Sequence, residues 1–389
     1  MIEIKDKKDC CGCTACACSC PKKCIVMESD EEGFIYPVID LNRCVHCNIC
    51  EQVCPQDKKN IRDNTIPETV VARDKREKIL SIGTSGSIFT AIIECTLAEH
   101  GVVYGVIVDK DNIVRHIRVD SKQDDRLSKI PCSKYVKSEI RGIYPQVKSD
   151  LQSGKKVCFS GTPCQVAGLK SFLKKEYSNL ICVDVICRGN PSPLFWKRFA
   201  EYLKKKYNSK IADVRFRNKT YGYHSGTMKV SFENGKIYYG SARTNYYLRA
   251  FFADLCSRPS CYKCQFKHIQ HISDLTLYDS WHAAELADLQ DDDKGYTNII
   301  IQSSKGKKLL DKLKTIEKYP VDTLKAVELD GVMVEKSVNW NKEREDFFNN
   351  IEDEDIKRHC SRFMNVSLKD HIIENAKRIY YYKKFKEST

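Results

Sequence analysis

Apolar residues along most of this chain recur in two alternating rhythms. Residues 87–100 (SIFTAIIECTLAEH) space them at helical intervals and stop at Gly101; residues 102–108 (VVYGVIV) follow as a strand-length apolar run. Residues 155–160 (KKVCFS) read as a strand leading through Gly-Thr-Pro into a helical stretch, CQVAGLKSFLKK. Residues 180–186 (LICVDVI) repeat the device and open through CRGNPSP into FWKRFAEYLKKKY. Strands alternating with helices predict an α/β body, an α+β arrangement with a mostly parallel sheet. From about residue 212 to 280 the pattern is richer in β, and the C-terminal part is helical and highly charged. No apolar run is long enough to cross a bilayer, so no membrane span is expected.

The first 60 residues lack this rhythm and carry cysteines instead. Cys10, Cys13, Cys16 and Cys20-Pro21 spell C-x2-C-x2-C-x3-C-P, and Cys44, Cys47, Cys50 and Cys54-Pro55 repeat it. Each copy is a bacterial-type ferredoxin half, whose fourth cysteine serves the other half's cluster. One [4Fe–4S] set is then Cys10, Cys13, Cys16 and Cys54, and its neighbour is Cys44, Cys47, Cys50 and Cys20. Zinc knuckles are the alternative, but they use four local ligands with a longer gap between pairs. Cys11, Cys18 and Cys24 fall outside the register and read as small buried space-fillers.

The chain divides into a ferredoxin-type domain over 1–60, a polar linker or arm over 61–78, a body over 79–335 and a charged helical segment over 336–389. With 389 residues and 21 cysteines, a charged N-terminus and no leader-like segment, a cytoplasmic setting with thiols kept for metal or clusters is expected. The formal charge of +13 is uneven: residues 1–60 sum to −2 and the remainder to +15. A basic body suits acidic partners, although a solvated lysine-rich surface has the same composition. No nucleic-acid motif accompanies it.

Three features of the body carry candidate chemistry. Gly83-Thr84-Ser85-Gly86-Ser87 precedes a helix and offers free N–H groups to an anion such as a flavin pyrophosphate. Thr162 caps the next helix with Pro163 in its first position, so Cys164 falls in a first turn whose dipole favours thiolate. Cys187 follows the neighbouring strand, and a parallel sheet brings both thiols to one rim. The loop CSRPSCYKC adds Cys261 and Cys264, which complete a third four-thiol set, with Cys256 in reserve. Cys95, Cys158, Cys182 and Cys360 read as packing residues, and Cys132 has no evident role.

Taken in order, the double cysteine module, SGS, SKYVKS (133–138), FSGTPCQVAGL (159–169), VICRGNPSP (185–193) and RPSCYKCQFK (258–267) resemble the beta subunit of coenzyme F420 hydrogenases and dehydrogenases. The resemblance is to the stand-alone bacterial form, with the ferredoxin module fused in front. It implies an oxidoreductase with three [4Fe–4S] clusters and FAD, in which reduced ferredoxin or a similar carrier supplies electrons and the flavin reduces an organic substrate. Coenzyme F420 as the substrate, or a subunit that only relays electrons in a larger complex, are the alternatives. A homo-oligomer is left open. The flavin contacts it implies are Ser85, Gly86, Ser87, Lys134, Tyr135, Gly161, Thr162 and Pro163. Two departures, Cys187-Arg188-Gly189 and Asp279-Ser280-Trp281-His282, bear on the substrate. His224 and His282 are candidate proton donors.

Overall fold

The computed structural model describes residues 1–56 and 65–387, with side chains as far as Tyr381. In the N-terminal module β1 (Ile25–Ser29) and β2 (Ile35–Ile39) form an antiparallel hairpin. In the body, β3 (Glu68–Asp74), β4 (Val102–Val108), β5 (Val114–Val119), β6 (Val157–Gly161) and β7 (Leu180–Val185) enter a large sheet. A separate antiparallel sheet follows from β8 (Ile211–Asn218), β9 (Thr227–Phe232) and β10 (Ile237–Ser241). Strands β11 (Leu275–Ser280), β12 (Tyr296–Ile301) and β13 (Ile316–Val321) complete the first sheet, in the order β13-β3-β12-β11-β7-β6-β4-β5.

The α/β class stands, and the parallel part is the centre of a mixed sheet. Strands β4, β6, β7 and β11 pair parallel, whereas the pairings outside them are antiparallel. The reason is visible at β4 and β5, which are joined by a short turn. A short turn permits only antiparallel pairing, while parallel neighbours need a crossover. Helix Pro163–Leu173 is one such crossover, between β6 and β7.

Residues 61–78 differ from the linker expected there. They include β3, which sits inside the sheet between β13 and β12. Val70, Val71 and Ala72 are buried while Glu68 stays exposed at the strand's start. Charged flanks mask so short an apolar run in a composition-based reading. The rest of that segment, up to residue 64, lies outside the described residues.

Several contacts fasten the N-terminal module to the body. Glu32 pairs with Arg344 of the C-terminal segment, and the guanidinium also donates to the Ser257 carbonyl. Arg258, wholly buried, donates Nε to the Cys10 carbonyl (2.6 Å) and Nη2 to that of Ile35 (3.0 Å), with its charge 4.1 Å from the Tyr36 ring centre. Gly168, in helix Pro163–Leu173, faces Cys13 so closely that an added Cβ would lie 2.7 Å from the cysteine Cβ. Only glycine lets the module seat there.

The C-terminal part is helical as its pattern suggested, with helices Arg344–Phe348, Ile356–Phe363 and Leu368–Glu387. Phe347, Ile356 and Cys360 join Phe195, Phe199, Phe216 and Tyr247 in one buried cluster. Among the described residues no helix is long and apolar enough to cross a membrane.

Candidate functional site

Strands β6 and β7 run parallel and end side by side, so the turns that leave them meet at one edge. After β6, Thr162 precedes the helix, with its backbone N–H donating to Gln165 Oε1 at 3.0 Å, and Cys164 enters the first turn. After β7 comes Cys187. The loop 256–264 approaches from the other side through a short 3-10 turn, Pro259–Lys263, held where the Asn190 N–H lies 3.4 Å from Cys261 Sγ. The result is a small cavity walled by Cys164, Cys187, Cys261 and Cys264. Cys256 does not reach it and is packed in the aromatic core.

A fifth thiol enters this wall from the N-terminal module. Cys11 lines the same cavity, and its side chain contacts Cys13 on one side and Cys164 on the other. The sequence register excluded Cys11 from the N-terminal sets but held no sign that it faces the body. Contact with Cys11, together with burial, pushes the Cys164 thiol well up, against the thiolate expected from the helix dipole alone. Burial likewise pushes Cys16 and Cys264 up to about 12.

Lys137 is the second residue missed. It is buried, and Nζ lies 3.8 Å from Cys164 Sγ. Burial presses its pKa down, but the Cys164 and Cys11 thiols outweigh this and the net direction is up. Lysine within the SKYVKS motif was the available signal. Beyond it, His271 lines the same cavity, with Nδ1 2.8 Å from a carboxylate oxygen of buried Asp184.

The outer N-terminal set is arranged around a second hollow. Cys20, Cys44, Cys47 and Cys50 line it, together with Cys24, whose sulfur is 3.3 Å from that of Cys20. Cys16 has Cys10 and Cys54 of the other predicted set as electrostatic neighbours, and also Cys50 of the outer one. Cys18 instead packs beside the body core, 3.8 Å from Thr14 Oγ1. Among the described residues no three His, Cys, Asp or Glu converge as ligands of a single ion. A cubane gives each cysteine its own iron, so thiols spread around a cavity fit [4Fe–4S].

The predicted flavin residues separate into two groups. Gly86 packs against β3 and β12, where an added Cβ would lie 2.4 Å from the Ala72 carbonyl; its N–H donates to Thr297 Oγ1 at 2.8 Å. The Ser133 N–H donates to Thr84 Oγ1 (2.9 Å), which brings the SKY segment beside this loop. Ser87, at φ +59°, starts helix Ile88–Ala98. Lys219 donates to the Ser85 carbonyl at 2.6 Å, and burial lowers it to about 7. Tyr135 stacks on Phe251, while Lys134, lowered to about 8 by burial, donates to the carbonyls of Lys129 and Ile130. Arg217, paired with Asp279 at 2.5 Å and lying over Trp281, closes the group with Tyr223. Gly161, Thr162 and Pro163 lead into the thiol cavity instead.

The two candidate proton donors are exposed. His224 Nε2 is 2.9 Å from Asp291, and its ring is 5.5 Å from that of Trp281, beside the Arg217 group. His282 Nδ1 is 2.7 Å from Asp330. Cys132, without a role in the sequence, contacts Arg215.

Comparison with known proteins fits this geometry. Residues 154–326 match the family model for the C terminus of the coenzyme F420 hydrogenase/dehydrogenase beta subunit, and residues 37–57 match the 4Fe-4S binding domain. The chain therefore carries a 4Fe–4S binding domain in front of a region similar to that beta subunit. It is also similar to a chain of the xenon-derivatised F420-reducing [NiFe] hydrogenase complex from Methanosarcina barkeri. That likeness is 17% identity over 67% of this chain and 85% of that one, with a TM-score of 0.43. No curated protein matches.

Proposed function

We propose that the protein is an iron–sulfur flavoprotein oxidoreductase, which draws electrons from reduced ferredoxin or a similar carrier and delivers them as a hydride to an organic substrate. When bound, [4Fe–4S] clusters carry single electrons and FAD exchanges one or two, so the pair converts one chemistry into the other. Cys10, Cys13, Cys16 and Cys54 would hold one cluster, and Cys20, Cys44, Cys47 and Cys50 the second. Cys164, Cys187, Cys261 and Cys264 would hold the third. The Ser85-Gly86-Ser87 loop with Lys134, Tyr135 and Arg217 would hold the flavin.

The observation that carries this reading is the segment 133–138. Ser133 and Tyr135 stand at the glycine loop and the Arg217 group, and Lys137, two residues on, stands at the thiol cavity. One short stretch of chain thus touches both sites, as a relay between them requires. Arg217 keeps positive charge beside the loop, and Lys219 donates an N–H to it. Trp281 and Tyr223 shield the group from water on one side, and His224 stands where it can pass a proton from solvent.

Anaerobic reduction with ferredoxin tests the reading. The flavin absorbance should bleach; a flavin that stays oxidised while the clusters reduce would sink the scheme. The matched family name favours one second reading, F420 oxidoreduction, in which the basic body meets an anionic coenzyme. Reduced F420 that is left unconsumed by the protein removes that reading.

A further inference from the structure

A cation is seldom buried without an anion beside it, because the desolvation cost is otherwise uncompensated. Among the described residues four lysines or arginines are buried: Lys137, Arg217, Arg258 and Arg344. Two have carboxylate partners, Arg217 with Asp279 and Arg344 with Glu32. Among the described residues no ion pair to a carboxylate involves the other two. Lys137 Nζ faces Cys164 Sγ at 3.8 Å. Arg258 spends Nε and Nη2 on two carbonyls of the N-terminal module and leaves Nη1 without a partner. Its electrostatic neighbours are Cys10 and Cys11 on the module side and Cys261 on the cavity side.

We propose that Lys137 and Arg258 are the counter-charges of the body's thiol cavity and make it the most easily reduced of the three cluster sites. This rests on the reading that clusters occupy the sites. Reducing a thiolate-bound centre adds negative charge, and a fixed cation buried beside it, where water cannot screen, favours the reduced state. Among the described residues the outer N-terminal set has no equivalent. Of the cations around it, Lys22, Lys23 and Arg43 are exposed, so solvent and salt screen them, and the partly exposed Met1 ammonium is neutralised by Glu51 at 2.6 Å. Arg258 stands between the inner N-terminal set and the cavity. Unscreened positive charge therefore rises from the outer set inward, and electron flow runs from the module into the body.

Potentiometric titration followed by EPR, on anaerobically purified full-length protein, measures this directly. Cys187→Ala identifies the cavity signal by its loss, and Cys47→Ala identifies the outer one. In the wild type the cavity signal should appear at the highest potential. Lys137→Gln should move it negative by at least tenfold in the reduction constant, which is 59 mV for one electron. Iron content and the other two potentials should hold, and Lys137→Arg should restore the wild-type value. A cavity potential below either N-terminal site, or one unmoved in Lys137→Gln at full iron content, overturns the proposal. The wild-type ordering decides alone if the glutamine variant loses iron. Neither ferredoxin nor substrate enters the measurement, so its failure is separate from failure of the flavin-bleaching test.

Discussion

The outer thiol set and the body cavity use the same four-cysteine chemistry in opposite surroundings. Around the outer set Cys47 is exposed, and the Val45 side chain is about half open to solvent. In the cavity Cys164 and Cys261 are buried, and a buried lysine replaces solvent as the polar neighbour. The outer set is open to solvent, and the cavity is largely closed to it.

Removing one thiol from each site breaks the comparison most directly. Cys164→Ala should cost about four iron atoms per chain, a third of the total, and Cys47→Ala a similar number. Their consequences should part company. With Cys164→Ala, ferredoxin still reduces the N-terminal module but the flavin stays oxidised. With Cys47→Ala, ferredoxin reduction slows while a small chemical reductant still reaches the flavin. Identical behaviour of the two variants would show that the sites are not in series.

The joint between the regions comes next. Glu32→Gln leaves Arg344 buried without its anion, and loss of such a partner costs about 3–5 kcal/mol. Denaturant unfolding of the loaded protein should show it as an earlier midpoint. A variant as stable as the wild type would mean the module hangs loosely and Arg344 finds water.

Spacing made the cysteine frame legible before any fold was known, because ligand intervals are local. The same holds for β4, β6, β7 and the turn that presents Cys164. What was hidden depends on contacts far apart in sequence. β3 looked like a polar arm because its short apolar run, Val70–Ala72, is flanked in the sequence by Glu68, Arg73 and Asp74. Cys11 looked like filler because the register of its own module had no place for it; its place is in the other module's cavity. Arg258 and Lys137 were visible as residues of RPSCYKC and SKYVKS, but a buried cation and an exposed one look alike in a sequence.

Gly168 gives a smaller and sharper test of the same joint. In Gly168→Val the new side chain would meet Cys13 Cβ and Sγ and the Tyr144 hydroxyl, all at 3.0 Å or less from the added Cβ. Overpacking of this kind costs about 1–3 kcal/mol. Because Cys13 belongs to the inner N-terminal set, that site's EPR signal should broaden while the cavity signal keeps its shape. Equal disturbance of both would mean that Cys11 and Cys164 move with Cys13 as one unit.

The smallest effect concerns acid. His116 is buried, stacked on Phe159 at 5.3 Å, with Nε2 3.0 Å from the Ser160 carbonyl oxygen and Nδ1 3.1 Å from Ser138 Oγ. Burial lowers it from 6.5 to about 4. Between those values the unfolded chain takes up a proton that the folded chain refuses, so stability falls as pH falls through this window and is unaffected above it. The slope approaches about 1.4 kcal/mol per pH unit for one such group. His116→Gln should flatten it, measured by unfolding between pH 7 and 5.5, and an unchanged slope would mean the ring is protonated in place. Ser138 also accepts from Gln165 Nε2 at 2.8 Å, and Gln165 Oε1 accepts from the Thr162 N–H that begins the Cys164 helix. Protonation of His116 would therefore reach the Cys164 turn through this chain of hydrogen bonds.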